Sequence, residues 1–145
     1  MVSADVYNGA YNKNPFNFQH FNLSKEAFYI DGDEGPHKGI ELDFENGNYS
    51  RGYYSLFLGN NKGLSNTGSI INLDDFGKGY AIYAFDFTGD LTIGSHFNLV
   101  GSGNLRMNLS FAKTLDELVC CIIYMEFQNL IGINKNRQIL FDYKS

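Results

Sequence analysis

The sequence predicts an all-β fold: a jelly-roll sandwich of about eight strands with a short helical insert near residues 48–59. Three observations carry this reading. Aromatic residues make up 16% of the 145 residues, all of them Phe or Tyr, and such side chains favour strands. Sixteen glycines against two prolines supply turns while leaving ladder donors intact. Short alternating apolar runs recur along the chain with turn residues between them. A chain of this length holds one sizeable core, so residues 1–145 are read as a single domain.

The elements follow in order. "NPFNFQHFNL" (14–23) begins with Phe16, Phe18 and His20 on one side and predicts a strand. "EAFYID" (26–31) predicts a second, closed by the turn-forming "DGDEG". In "GIELDFENG" (39–47), Ile40, Leu42 and Phe44 oppose Glu41, Asp43 and Glu45, and Asn46-Gly47 ends the strand. The period then changes. Tyr49, Tyr53, Phe57 and, slightly offset, Tyr54 recur at helical spacing, with Gly59 as a stop and Gly52 working against the helix. Residues 63–79 read as a long loop with a brief apolar stretch. "YAIYAFDF" (80–87) is apolar on both faces except at Asp86, which predicts a central strand. "HFNLV" (96–100) and "NLRMNLSF" (104–111) flank a glycine turn at 101–104. In the latter, Leu105, Met107, Leu109 and Phe111 alternate with Asn104, Arg106, Asn108 and Ser110. "ELVCCIIYMEFQNLI" (117–131) is the most hydrophobic run and is expected to be the most buried strand; "RQILFDY" (137–143) closes the domain.

Composition narrows the function classes. Sixteen acidic against eleven basic side chains give a net charge of −5, which offers no basic surface for gripping nucleic-acid phosphates. The longest uncharged apolar run, "LVCCIIYM" (118–125), falls short of the ~20 residues that span a bilayer. The first fifteen residues lack the basic start and apolar stretch of a secretion signal. Adjacent Cys120 and Cys121 would point to opposite faces of a strand, so they read as two small core residues without a mutual disulfide. Such cysteine usage fits a reducing compartment.

Chemistry is sparse. His20, His37 and His96 show no metal-ligand spacing with another His or Cys. Asp31, Asp33 and Glu34 in "DGDEGP" are candidate calcium ligands, but Gly35 and Leu42 occupy positions where a helix-loop-helix calcium loop needs oxygen donors. A solvated hairpin turn is the simpler reading. Phosphate-binding glycine loops and nucleophile elbows are absent from the sequence. Asp74, Asp75 and Asp86 are carboxylates with nothing in the spacing to pair them. The sequons at Asn22, Asn48 and Asn108 read as chance in an Asn-rich chain. No cofactor is expected. The aromatic helix face either caps the open end of the sandwich or makes a protein contact.

Five stretches carry a family resemblance: "YNGAYNKNPFNFQHFNLSKEAFYIDG", "LDFENGNYSRGYYSLFLG", "GKGYAIYAFDFTGDL", "HFNLVGSGNLRMNLSF" and "IIYMEFQNLIGINKNRQILFDY". In this order they resemble the C-terminal half of double jelly-roll major capsid-type proteins, closest to those of Polinton- and adintovirus-like elements in animal genomes. The resemblance covers nearly the whole chain. It implies a structural protein without catalytic residues, built into trimers of pseudo-hexagonal outline. It implies as partners other copies of the chain, a missing first jelly roll and other capsid proteins, in a virion or in the host nucleus or cytoplasm. The chain has room for one roll, so residues 1–145 are expected to correspond to the second. Tyr53, Tyr54, Phe57, Arg106 and Arg137 are the expected assembly contacts. The alternative is a ligand- or carbohydrate-binding β-sandwich, which exposed Tyr and Phe would suit, although Trp, the commonest sugar platform, is missing. An enzyme ranks behind both.

Overall fold

The computed structural model describes residues 1–35, 38–59, 70–87, 103–127 and 131–141. In chain order these form β1 (Val2–Ser3), α1 (Ala4–Tyr7), β2 (Leu23–Ile30), β3 (Asp33–Glu34), β4 (Ile40–Glu41), α2 (Ser50–Gly59), α3 (Leu73–Lys78), β5 (Leu105–Phe111), β6 (Val119–Cys120), β7 (Ile131–Ile133) and β8 (Ile139–Phe141). The architecture is β-rich, with antiparallel sheets and a few short helices.

The main sheet is built on β2. β5 runs along one edge of it, and β3 and β4 share the other. The alternation in 104–111 sets this pairing: Met107, Leu109 and Phe111 are half-buried, while Arg106, Asn108 and Ser110 face water. A register shift between Leu23 and Lys25 lets Leu23 pair with Phe111 and Glu26 pair with Leu109. β2 and β3 are joined by Asp31-Gly32, both with positive φ (52° and 101°), the two-residue loop that suits strand twist. Asp31 also ties the turn to β5. Its backbone N–H donates to the Asn104 carbonyl at 3.1 Å, and its carboxylate accepts from the Asn104 N–H at 2.8 Å.

The core lies under this sheet. Leu23, Ile40 and Leu42 form its centre, and Phe44, Tyr49, Tyr83, Phe85, Leu109 and Phe111 pack around them. Beside it sits Phe76, fully buried, within 5.5–6.3 Å of the rings of Tyr83, Tyr53, Tyr49 and Phe44. Gly52 of α2 allows this packing. A Cβ there would lie 2.8 Å from Leu42 and 3.1 Å from Tyr83.

Several expectations are corrected. Residues 14–22 form no strand; of the stretch expected over 14–23, only Leu23 is in one, as the first residue of β2. Asn14 accepts the Phe16 N–H, and Phe21 and Asn22 both adopt positive φ, which turns the chain sharply into β2. Phe18 makes only an isolated bridge to Tyr80. The strand expected over 39–47 is confined to β4, because Asp43 and Asn48 pair across a turn and the Asp43 carboxylate binds Asn46. The loop expected over 63–79 contains α3, capped by the Asn72 side chain on the Asp75 N–H at 2.8 Å and ended by Gly79 at φ 147°. Residues 80–87 join no ladder among the described residues beyond Tyr80; they reach the core through Ala81, Tyr83 and Phe85. Among the described residues of 117–131, strand is confined to β6 and to Ile131, where β7 begins. Ile122, Ile123, Tyr124, Met125 and Phe127 are 54–82% exposed. Cys120 is half-buried and Cys121 exposed, so neither is a core residue; both are free thiols. The strand expected at 96–100 and the first half of its turn, 101–102, lie outside the described residues.

Phe76→Ala is expected to destabilise the fold by about 3–5 kcal/mol, read as a lower urea midpoint at unchanged slope. Gly52→Ala should destabilise it as well, although alanine is the better helix former, because the added methyl overlaps Leu42.

Candidate functional site

Glu26 is the chemically unusual residue of this fold. It lies mid-way along β2, opposite Ile40 of β4 and Leu109 of β5. Side chains paired across an antiparallel ladder share a face, so the carboxyl stands between two apolar side chains. Glu26 is 5% exposed, and its Oε2 finds no hydrogen-bond partner among the described residues. The buried hydroxyl of Tyr83 is likewise unpartnered. An unpaired carboxylate in apolar surroundings is less costly when protonated. Burial therefore pushes Glu26 up to about 7, against the opposing pull of the Met1 amino group. Burial first, and the neighbouring Glu26 second, hold the Tyr83 phenol far above its ordinary value. The thiol of Cys121, a residue exposed as a whole, belongs to the same electrostatic neighbourhood and is also raised, first by the partial desolvation of its sulfur and then by Glu26.

This arrangement can hold and release a proton near neutrality. Glu26 itself is almost sealed from solvent, and an open recess of about 350 Å³ near Ser3 and Glu117 is lined by neither Glu26 nor Tyr83. The sequence carried a signal for this buried acid. Glu26 shares strand parity with Phe28 and Ile30, which places a charge on the apolar side of the run.

The sequence-derived candidates are dispersed. Tyr53 is half-buried in the aromatic cluster, edge-on to Phe57 at 5.0 Å, and its hydroxyl donates to the Ile71 carbonyl at 2.9 Å. Tyr54, on the same helix, is 49% exposed. Phe57 is half-buried. Arg106 lies on the outer face of the main sheet, its guanidinium 4.7 Å from the centre of the Tyr29 ring. Arg137 sits in the loop between β7 and β8 with a positive φ of 60°, its N–H donating to the Asn134 carbonyl. Only Tyr53 and Phe57 touch one another directly.

The acidic turn serves the fold. Asp31 holds Asn104, Glu34 accepts the Gly39 N–H at 2.7 Å, and Asp33 is exposed. Among the described residues, no group of three or more His, Cys, Asp or Glu side chains is placed to hold a metal ion. His20 is a structural side chain. It stacks on Phe44 at 3.9 Å, its Nδ1 accepts the Asn22 N–H, and burial holds it below its ordinary value. His37 and His96 lie outside the described residues. Asp74 pairs with exposed Lys78, and Asp75 receives the α3 cap.

The chain is 29% identical to an uncharacterized protein of Caenorhabditis elegans over 149 aligned residues. The match takes in 98% of this chain and 35% of that relative, so the chain spans about a third of the relative's length. No family model matches, and no solved structure matches. No helix among the described residues is long and apolar enough to cross a membrane.

The sign of the Glu26 effect is set by its raised value. Between about pH 4.5 and 7 the unfolded chain has released this proton and the folded chain keeps it, so stability falls as pH rises through that window. Below 4.5 and above 7 the contribution is level. The total loss from this residue is about 3 kcal/mol. Glu26→Gln should remove that slope relative to wild type, measured as urea midpoints from pH 4 to 8.

Proposed function

We propose that this chain is a capsid-type jelly-roll domain with a structural role, acting by association with copies of itself or with a companion roll. The observation that carries the reading is the exposed apolar run around and after β6. Leu118, Tyr124 and Phe127 are 80–82% exposed, and Ile122, Ile123 and Met125 are 54–55% exposed. Six large apolar side chains in ten residues exceed the scattered exposure that is normal for a monomer. A capsid subunit, which buries such surface against its neighbours, accounts for this run. The β-rich architecture is compatible with the jelly roll that the five sequence stretches resemble. In this reading the relative's further length accommodates a companion roll.

The domain then works in a virion, or in the nucleus or cytoplasm where one assembles, as part of a trimeric capsomer. Light scattering on the purified chain across micromolar concentrations should give a mass above that of one chain, converging on three. A strictly monomeric chain that also ignores a separately expressed first roll would sink the proposal.

A further inference from the structure

We propose that Glu26 is a latch on β4: while its carboxyl is neutral β4 stays closed against β2, and once it is ionised β4 becomes the segment of the sheet that opens. The inference is independent of the assembly reading above and concerns the fold itself.

The latch follows from what surrounds the carboxyl. Glu26 is 5% exposed, and its ladder partners, Ile40 of β4 and Leu109 of β5, offer nothing to a charge. Among the described residues, the ionisable groups that face it are the Met1 amino group ahead of β1, the Cys121 thiol after β6 and the Tyr83 phenol. Only the first is a cation. Lys25 and Glu41 pair with one another one position along the ladder, so their side chains belong to the opposite face, as does Arg106, which covers the Tyr29 ring. An ionised carboxylate in these surroundings gains by reaching water, and one of its neighbours must move to admit it.

Those neighbours are held unequally. β5 pairs with β2 at seven positions from Leu23 to Ile30, and Asp31 adds two bonds to Asn104. β1 pairs with β6, and the two bring the Met1 amino group and Cys121 beside Glu26. An ionised Glu26 attracts the Met1 ammonium, which holds this pair of strands more firmly. β4 has neither support among the described residues. It pairs with β2 at two positions, and the Leu42 N–H adds one bond to the Ser24 carbonyl at 2.9 Å before Asp43 turns the chain toward Asn48. Short elements with few backbone bonds open first, so β4 is the side that yields. Its opening withdraws Ile40 and Leu42, two of the three residues at the centre of the core, and Leu42 is the side chain that lies against Gly52 of α2.

Residue-resolved amide exchange on the whole chain from pH 4 to 8 tests the latch. Three N–H groups report separately: Leu42 for β4, Ala4, bonded to the Leu118 carbonyl, for β1 and β6, and Ala112, bonded to the Asn22 carbonyl, for β5. After correction for the intrinsic effect of pH on exchange, protection of Leu42 should fall by up to about 300-fold between pH 4.5 and 7, the ratio set by a carboxyl at about 7 in the closed fold and 4.5 when hydrated. Exchange at Leu42 should be nearly insensitive to low urea, the mark of a local opening, while Ala112 stays better protected and urea-sensitive. Glu26→Gln should flatten the Leu42 profile; if that variant fails to fold, the wild-type pattern decides. Leu42 protection that is level with pH, that Glu26→Gln leaves unchanged, or that only matches Ala112 in size and slope would overturn the latch. In the last case the proton couples to global unfolding alone, and the stability slope described above stands. A fall confined to Ala4 would overturn the latch in favour of release of β1 and β6.

Discussion

The register shift between Leu23 and Lys25 decides what β2 buries. Side chains alternate along a strand, so Leu23 would ordinarily share a face with Lys25, Ala27 and Tyr29. One extra residue resets the alternation. Leu23, Glu26, Phe28 and Ile30 then lie opposite Phe111, Leu109, Met107 and Leu105. Ser24, the residue taken up by the shift, is held by its hydroxyl on the Ser110 carbonyl at 3.0 Å. The same shift that brings Leu23 to the centre of the core also carries the Glu26 carboxyl inside. Core packing and the buried acid are two results of one irregularity.

The helices depend on a different contact. Phe76 has four aromatic neighbours, drawn from the turn after β4, from the residue before α2 and the body of α2, and from residues 80–87. Little backbone hydrogen bonding ties these segments together, so ring packing and shape do the joining. Two glycines permit the approach. Gly52 clears Leu42 and Tyr83, and Gly59 clears the backbone of Ala84, where a Cβ would come within 2.5 Å.

The parts of this fold with one wet face were legible in the sequence. Residues 105–111 show a period that matches their burial, and the 26–31 run and α2 take the strand and helix their patterns predict. α3 was legible in principle: Asn72 before Asp74 and Asp75, then Lys78 and Gly79, is a cap, an acidic first turn and a stop. Gly77 and the shortness of the helix hid it. The turn at Phe21–Asn22 was not legible, because Phe carries no preference for positive φ. The run after Cys120 shows a deeper limit. Hydrophobicity on both faces says that a segment favours cover, but it does not say which polypeptide provides it. Of the site, the charge at Glu26 was visible in the strand parity, whereas its pairing with Ile40 and Leu109 required the three-strand arrangement.

The main sheet also sets an order of assembly in time. The β2–β3 hairpin closes over two residues, Asp31 and Gly32, and loops this short form within microseconds. The β2–β5 pairing instead joins residues such as Ser24 and Ser110, 86 positions apart, so it forms late and slowly. During synthesis β2 therefore stands with one edge open until residue 111 has been made. Throughout that interval the nascent chain carries an unpaired strand edge, the kind of surface through which incompletely folded chains aggregate.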